Sequence, residues 1–224
     1  MSEHHRLFIA STISDTYAVP MLNLLQSLQQ QWKSASLPNT LRWIPPEHWH
    51  LTWAFLGDTP ADKIPALQEN LNQILTDQSV ITTAWEQLSW WPSSSRPQIL
   101  VGQLTPTPEL ITTAQAIQEA MNRLLPTTSE KNRKSKSFKP HITLARAKTS
   151  RNRNRRSSVP IPEQQSFKYK APLLPAPPAE FPDWQIEGIT LFRSELHSAG
   201  AVHTALYTVP FNPEPVALSA LGEF

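Results

Sequence analysis

Two short segments of this chain, WHLTW at Trp49–Trp53 and PHITL at Pro140–Leu144, each place a His two residues before a Thr inside an apolar, β-prone run. Side chains alternate faces along a strand, so His50 and Thr52 share one face while Leu51 and Trp53 share the other. His141 and Thr143 repeat the arrangement against Ile142 and Leu144. Each segment is therefore a strand with one greasy face to bury and one polar face to keep accessible. The two lie 91 residues apart, each set in a similar helix–strand context, which has the form of an internal duplication. If the strands approach one another, two imidazoles and two hydroxyls surround one pocket.

The remaining pattern supports a mixed fold. Arg6–Thr12 reads as a strand, and Val19, Leu22, Leu25, Leu28 and Trp32 give helical period between Tyr17 and Ser34. Trp49–Leu56 reads as a strand closed by a turn at Gly57-Asp58, followed by a helix over Ala61–Leu75. Ile81–Trp90 and Gln98–Leu104 read as strands, Thr107–Leu125 as a helix, and Phe138–Ala145 as the second motif strand. A short strand is expected near Phe167–Tyr169, and two more at Gln185–Phe192 and Val202–Val209, joined through RSELHSAGA as a hairpin loop. Without short parallel crossovers, the class is α+β with mostly antiparallel sheet. One domain is expected over 1–224, with basic flexible connections at 126–137 and 147–160 and a Pro-rich loop at 171–182.

Composition narrows the chemistry. There is no Cys, which removes thiol nucleophiles, Cys-ligated zinc and iron–sulfur clusters. The 5 Gly are too scattered for a glycine-rich phosphate cradle. Apolar runs are too short to span a membrane, and MSEHHRLFIA does not read as a signal peptide, so the expected location is cytoplasmic. The net charge of +2 conceals an asymmetry: 11 basic and no acidic residues lie between Lys131 and Arg156. That run is either a solvated loop or a footprint for a polyanion such as RNA. His48 and His50 could form a metal pair, but no motif places a third ligand and no metal or cofactor is expected. His4 and His5 read as a frayed terminus, His203 as a packing or rim residue with contact to substrate as its other reading, and Trp53 as core.

With these motifs in view, the chain resembles the 2H phosphoesterases, and within them the RNA 2′,3′-cyclic phosphodiesterase (2′-5′ RNA ligase) family. The resemblance rests on RLFIA at Arg6–Ala10, RWIPPEHWHLTWAFLGD at Arg42–Asp58, FKPHITLARAK at Phe138–Lys148 and LFRSEL at Leu191–Leu196. It implies a bilobal, pseudo-twofold fold with outer helices and the motifs facing a central cleft. It also implies catalytic His50 and His141, with Thr52, Thr143 and Arg146 holding phosphate. The chain departs from the family in RPQILVG at Arg96–Gly102, which lacks the usual Arg and Trp, and in His203, where Tyr is usual.

The residues suit that chemistry. Opening a 2′,3′-cyclic phosphate needs a base for water on one side of phosphorus and an acid for the departing ribose oxygen on the other. Two imidazoles with ordinary pKa near ~6.5 divide these roles at neutral pH without metal. By the family's analogy the product is a 2′-phosphate, with His50 as acid and His141 as base. The reaction can in principle run backwards as 2′-5′ ligation. Arg151, Arg153, Arg155 and Arg156 are expected to contact RNA phosphates and Phe138 to stack on a base. The expected partner is RNA with a 2′,3′-cyclic phosphate end, tRNA fragments among the candidates, acted on by a monomer. Two other readings stay open: a phosphodiesterase for another small cyclic or 2′-5′-linked nucleotide, and a non-catalytic RNA-end-binding module.

Overall fold

In the computed structural model, which describes residues 3–34, 41–95, 97–125, 137–147, 174, 181–197 and 200–212, the two motif strands are neighbours in a single large sheet. Chain order is β1 (His4–Thr12), α1 (Asp15–Ser34), β2 (Leu41–Trp43), β3 (His50–Pro60), α2 (Ile64–Leu75), β4 (Ile81–Thr83), β5 (Trp85–Trp91), β6 (Ile99–Leu104), α3 (Pro108–Leu124), β7 (His141–Ala147), β8 (Trp184–Ile186), β9 (Gly188–His197) and β10 (Gly200–Pro210). The sheet runs β10-β9-β1-β3-β7-β6-β5, with β2 paired to β7, and every pairing in it is antiparallel. A two-stranded sheet, β4-β8, stands apart.

Each motif strand buries its apolar face as the alternation requires. Leu51, Trp53, Ile142 and Leu144 join the main core, while His50, Thr52, His141 and Thr143 remain half-buried on the opposite face. Helices cover the core side. Gln118 of α3 donates to the Trp53 carbonyl at 3.1 Å, and Trp32 of α1 meets Trp43 and Trp90 edge-on or tilted. α3 starts where Thr107 caps it, its hydroxyl accepting from the Leu110 N–H, with Pro108 in the first turn where no N–H is needed. One face is thus packed by helices, and the other is left to the motif side chains.

Several boundaries differ from the sequence reading for local reasons. The turn expected at Gly57-Asp58 is instead a bulge: β1 pairs Leu7 with Gly57 but Phe8 with Phe55, and Gly57 takes φ +70. Glycine adopts that left-handed conformation freely, so the strand absorbs an extra residue and continues to Pro60. Ile81–Trp90 is split at Ala84, its first part pairing β8 and its second β6. The second motif strand starts at His141 rather than Phe138, since Pro140 has no N–H to give a ladder. Most of RSELHSAGA is strand, with Ala201 paired to Leu196 and Val202 to Glu195. His4 and His5 are paired in β1, not frayed, and β2 has no counterpart among the strands read from sequence. The strand near Phe167–Tyr169 lies outside the described residues. So do nearly all of the two basic connections and most of the Pro-rich loop.

Candidate active site

β3 and β7 share one cross-strand pair, Leu51 with Ile142, running antiparallel. That register turns His50 toward Thr143 and Thr52 toward His141, so the four polar side chains surround the junction on its open face. Each half of the sheet contributes one imidazole and one hydroxyl.

The two imidazoles are held by the same device. His50 Nδ1 lies 2.8 Å from the His48 carbonyl, and His141 Nδ1 lies 2.8 Å from the Lys139 carbonyl, in both cases two residues back. A carbonyl can only accept, so Nδ1 carries the proton and Nε2 is the working nitrogen. The kinks that place those carbonyls come from proline-bearing segments: Pro45 and Pro46 lead the 3₁₀ turn Pro46–His48, and Pro140 precedes His141. His48 belongs to that turn and not to β3, so the strand-face pairing expected of it with His50 does not form. Among the described residues no cluster of three or more His, Asp or Glu could hold a metal ion.

An aromatic ring stands beside each imidazole. Phe8 is 5.2 Å from His50, and Trp91 is 4.4 Å from His141, centroid to centroid. Phe8 also stacks on Phe192 at 5.2 Å and meets the edge of His203 at 4.9 Å. His203 lies 5.8 Å from His50 and 5.2 Å from His48, ring to ring, with a buried Nδ1 that has no hydrogen-bond partner. It therefore stands beside the candidate site, packed against Phe8, His48 and His50.

Arg146 reaches the same face through a bulge. β6 pairs Gln103 with His141 and Val101 with Thr143, but then Leu100 with Ala145 and Ile99 with Arg146. One extra residue, Leu144, is accommodated in β7, so Leu144 and Ala145 are both buried and Arg146 emerges beside Thr143. Strict alternation would have sent Arg146 into the core. β2 then sets Arg42 directly opposite Arg146.

The electrostatics follow from burial and these guanidinium groups. Desolvation pushes the His50 pKa down to about 4, with the carbonyl of His48 opposing and His203, Arg146 and His48 adding to the fall. His141 is lowered first by desolvation and then by Arg146, against its own carbonyl bond. Arg146 itself is lowered by desolvation, by Arg42 and by Arg6. In the unliganded protein both imidazoles are neutral at pH 7, in a positive field suited to an anion.

The other residues singled out by the sequence fall as follows. Phe138 is stacked on Trp53 at 5.8 Å with the rings 4° from parallel, so one face of the expected base platform is occupied by core. Trp53 is buried, its Nε1 donating to the Ser11 hydroxyl at 2.8 Å. Arg151, Arg153, Arg155 and Arg156 lie outside the described residues. Phe8, Trp91 and Arg42 stand at the site without being flagged by the sequence pattern. Arg42 alone has a local signal, standing just upstream of the first motif in RWIPPEHWH.

Two His-x-Thr strands meet in one sheet, each with its imidazole tied to the carbonyl two residues back, the arrangement that the resemblance to the 2H phosphoesterases leads one to expect. The family model "LigT like Phosphoesterase" matches residues 19–101, a stretch that includes the first motif. An RNA 2′,3′-cyclic phosphodiesterase of Thermus thermophilus is 26% identical over 165 residues, which is 73% of this chain and 72% of that one. One from Archaeoglobus fulgidus is 24% identical over 143 residues, 64% of this chain and 73% of that. The crystal structure of TT0787 of Thermus thermophilus aligns with TM-score 0.68 at 21% identity, covering 94% of this chain and 100% of that chain. E. coli LigT in apo form aligns with TM-score 0.62 at 23% identity, covering 94% and 99%.

Proposed function

We propose that the protein hydrolyses RNA 2′,3′-cyclic phosphate ends to 2′-phosphates, without a metal, on the shared face of β3 and β7. The observation that carries this is the matched pair of carbonyl-tied imidazoles, on two strands whose register sets each of them across from a threonine. Relatives named RNA 2′,3′-cyclic phosphodiesterase support the substrate class.

The cyclic phosphodiester binds with its non-bridging oxygens accepting from Thr52, Thr143 and Arg146. His141 Nε2 takes a proton from water as its oxygen bonds to phosphorus. The bond from phosphorus to O3′ breaks, and His50 Nε2–H gives that oxygen its proton. The phosphate stays on O2′. Hydroxyl donors and a guanidinium gain strength as charge gathers on the non-bridging oxygens in the transition state. For His50 to serve as acid, the anion must first offset burial and the Arg146 field, raising the pKa of His50 in the complex. With the 5′-hydroxyl of a second RNA in place of water, the same displacement leaves the phosphate bridging O2′ and that O5′, which is 2′-5′ ligation.

Arg151, Arg153, Arg155 and Arg156 extend the contact to phosphates further along the RNA, supported by their place just after the β7 motif strand and by the charge of that run. The experiment is hydrolysis of a 2′,3′-cyclic-phosphate-ended oligonucleotide in EDTA, with the product identified by phosphorus NMR. A 2′-phosphate is expected. Activity lost on chelation and restored by zinc or manganese would overturn the two-imidazole mechanism, and tight binding without turnover would leave an end-binding module.

A further inference from the structure

Arg42 and Arg146 are cross-strand partners in β2 and β7, both exposed on the face that carries His141 and Thr143. Directly opposed like charges destabilise a sheet. Among the described residues neither forms an ion pair with a carboxylate. Arg6 is on the same face, since β1 pairs Ala10 with Thr52 and Thr12 with His50, and its cross-strand partner is Asp58. Arg6 adds to the positive field at Arg146.

A cyclic phosphodiester carries one negative charge, and Arg146 with the two threonines already answers it. Arg42 is surplus to that task, yet it occupies a position that repels Arg146. A second anion bridging the two guanidiniums would convert this repulsion into two charge-assisted hydrogen bonds. We propose that Arg42 and Arg146 form a subsite for a second phosphate group, so that the site takes substrates carrying a phosphate beyond the cyclic one. This deepens the proposed phosphodiesterase reading and rests on it. In an RNA end that phosphate sits on O5′ of the terminal nucleoside, as a monoester in a 5′-phosphorylated mononucleotide and as the internucleotide diester in a longer chain.

The test uses the full chain and three substrates: a nucleoside 2′,3′-cyclic phosphate, the same compound with a 5′-phosphate, and a dinucleotide ending in a 2′,3′-cyclic phosphate. Arg42→Gln should lower kcat/KM by about tenfold or more on at least one two-phosphate substrate, the scale of a lost charged hydrogen bond. Which of the two responds tells whether the subsite takes the more highly charged monoester or the internucleotide diester. On the plain cyclic mononucleotide the variant should stay within about twofold of wild type, the scale of an exposed change. Equal losses on all three substrates, or no loss on any, would overturn the subsite. Binding of adenosine 3′,5′-bisphosphate against adenosine 3′-monophosphate reads the subsite without turnover. Wild type should prefer the bisphosphate and the variant should not, so a failure of the proposed hydrolysis is separable from a failure of this site. Without ligand, Arg42→Gln should melt no lower than wild type because a repulsion has been removed. A clearly lower melting temperature would assign Arg42 to scaffolding instead.

Discussion

Leu51 and Ile142, both fully buried, are the single cross-strand ladder pair between the first motif strand and the second among the described residues. Their side chains enter the helix-covered core, while their neighbours on either side place two imidazoles and two hydroxyls on the opposite face. Leu51→Ala or Ile142→Ala should each destabilise the fold by about 2–5 kcal/mol, the range for emptying a close-packed site. Urea unfolding reads the loss. Because the pair is shared, the double variant should lose less than the sum. Additive losses would mean the strands are held together elsewhere.

Acid sensitivity should come from the buried imidazoles. His50, His141 and His203 all have lowered pKa in the folded protein. The unfolded chain, with histidines near ~6.5, then binds more protons below that pH, so stability falls as pH drops. The loss should begin near pH 6.5 and for His50 level off below about 4. His50→Asn should flatten that slope. A stability profile unchanged between pH 7 and pH 4 would contradict the burial of these rings.

The same groups give a direct spectroscopic prediction. Proton NMR of unliganded protein should show His50 titrating at about 4. Saturating phosphate, by countering Arg146, should move that midpoint upward. If it does not move, His50 cannot serve as the acid, and the roles of His50 and His141 exchange.

Removing either imidazole should cost turnover far more than it costs folding. His50→Ala and His141→Ala should each lower kcat by ~10²–10⁴. Thr52→Ala and Thr143→Ala should lose about 1.5–3 kcal/mol of transition-state stabilisation. Steady-state kinetics with a cyclic mononucleotide, alongside circular dichroism, make the comparison. A folded His variant with near-normal kcat would defeat the assignment.

Replacing Arg151, Arg153, Arg155 and Arg156 together by Gln should weaken oligonucleotide binding and flatten its salt dependence. Each RNA phosphate that is no longer neutralised changes the slope of log affinity against log salt by about 0.7. Cyclic mononucleotide turnover should hardly change. A salt titration of kcat/KM on both substrates decides it, and equal effects on the two would leave the run as solvated chain.

The motif pairs are legible in the sequence because their information is local: alternation alone sets His50 with Thr52 and Leu51 with Trp53. The three long helices are legible for the same reason, through apolar period and, at Thr107-Pro108, through a cap. What escapes is non-local. β2 is three residues long and becomes a strand by pairing β7, which no three-residue pattern announces. Trp91 reads like its neighbour Trp90, and the register of β5 against β6 and β7 puts one in the core and the other beside His141. Gly57 reads as a stop because glycine serves turns and bulges alike.

The extra residue in β7 has a consequence for how such a site can change. Arg146 shares the face of His141 and Thr143 and not that of the core because the strand holds one residue more than its partner between Thr143 and Ala145. No substitution at Leu144 or Ala145 alters that count, so point changes there can loosen packing but leave the guanidinium on its side. Deleting a single codon would restore the ladder and drive Arg146 into the hydrophobic interior. In this strand the address of a charge is written as length, and it is gained or lost by insertion and deletion.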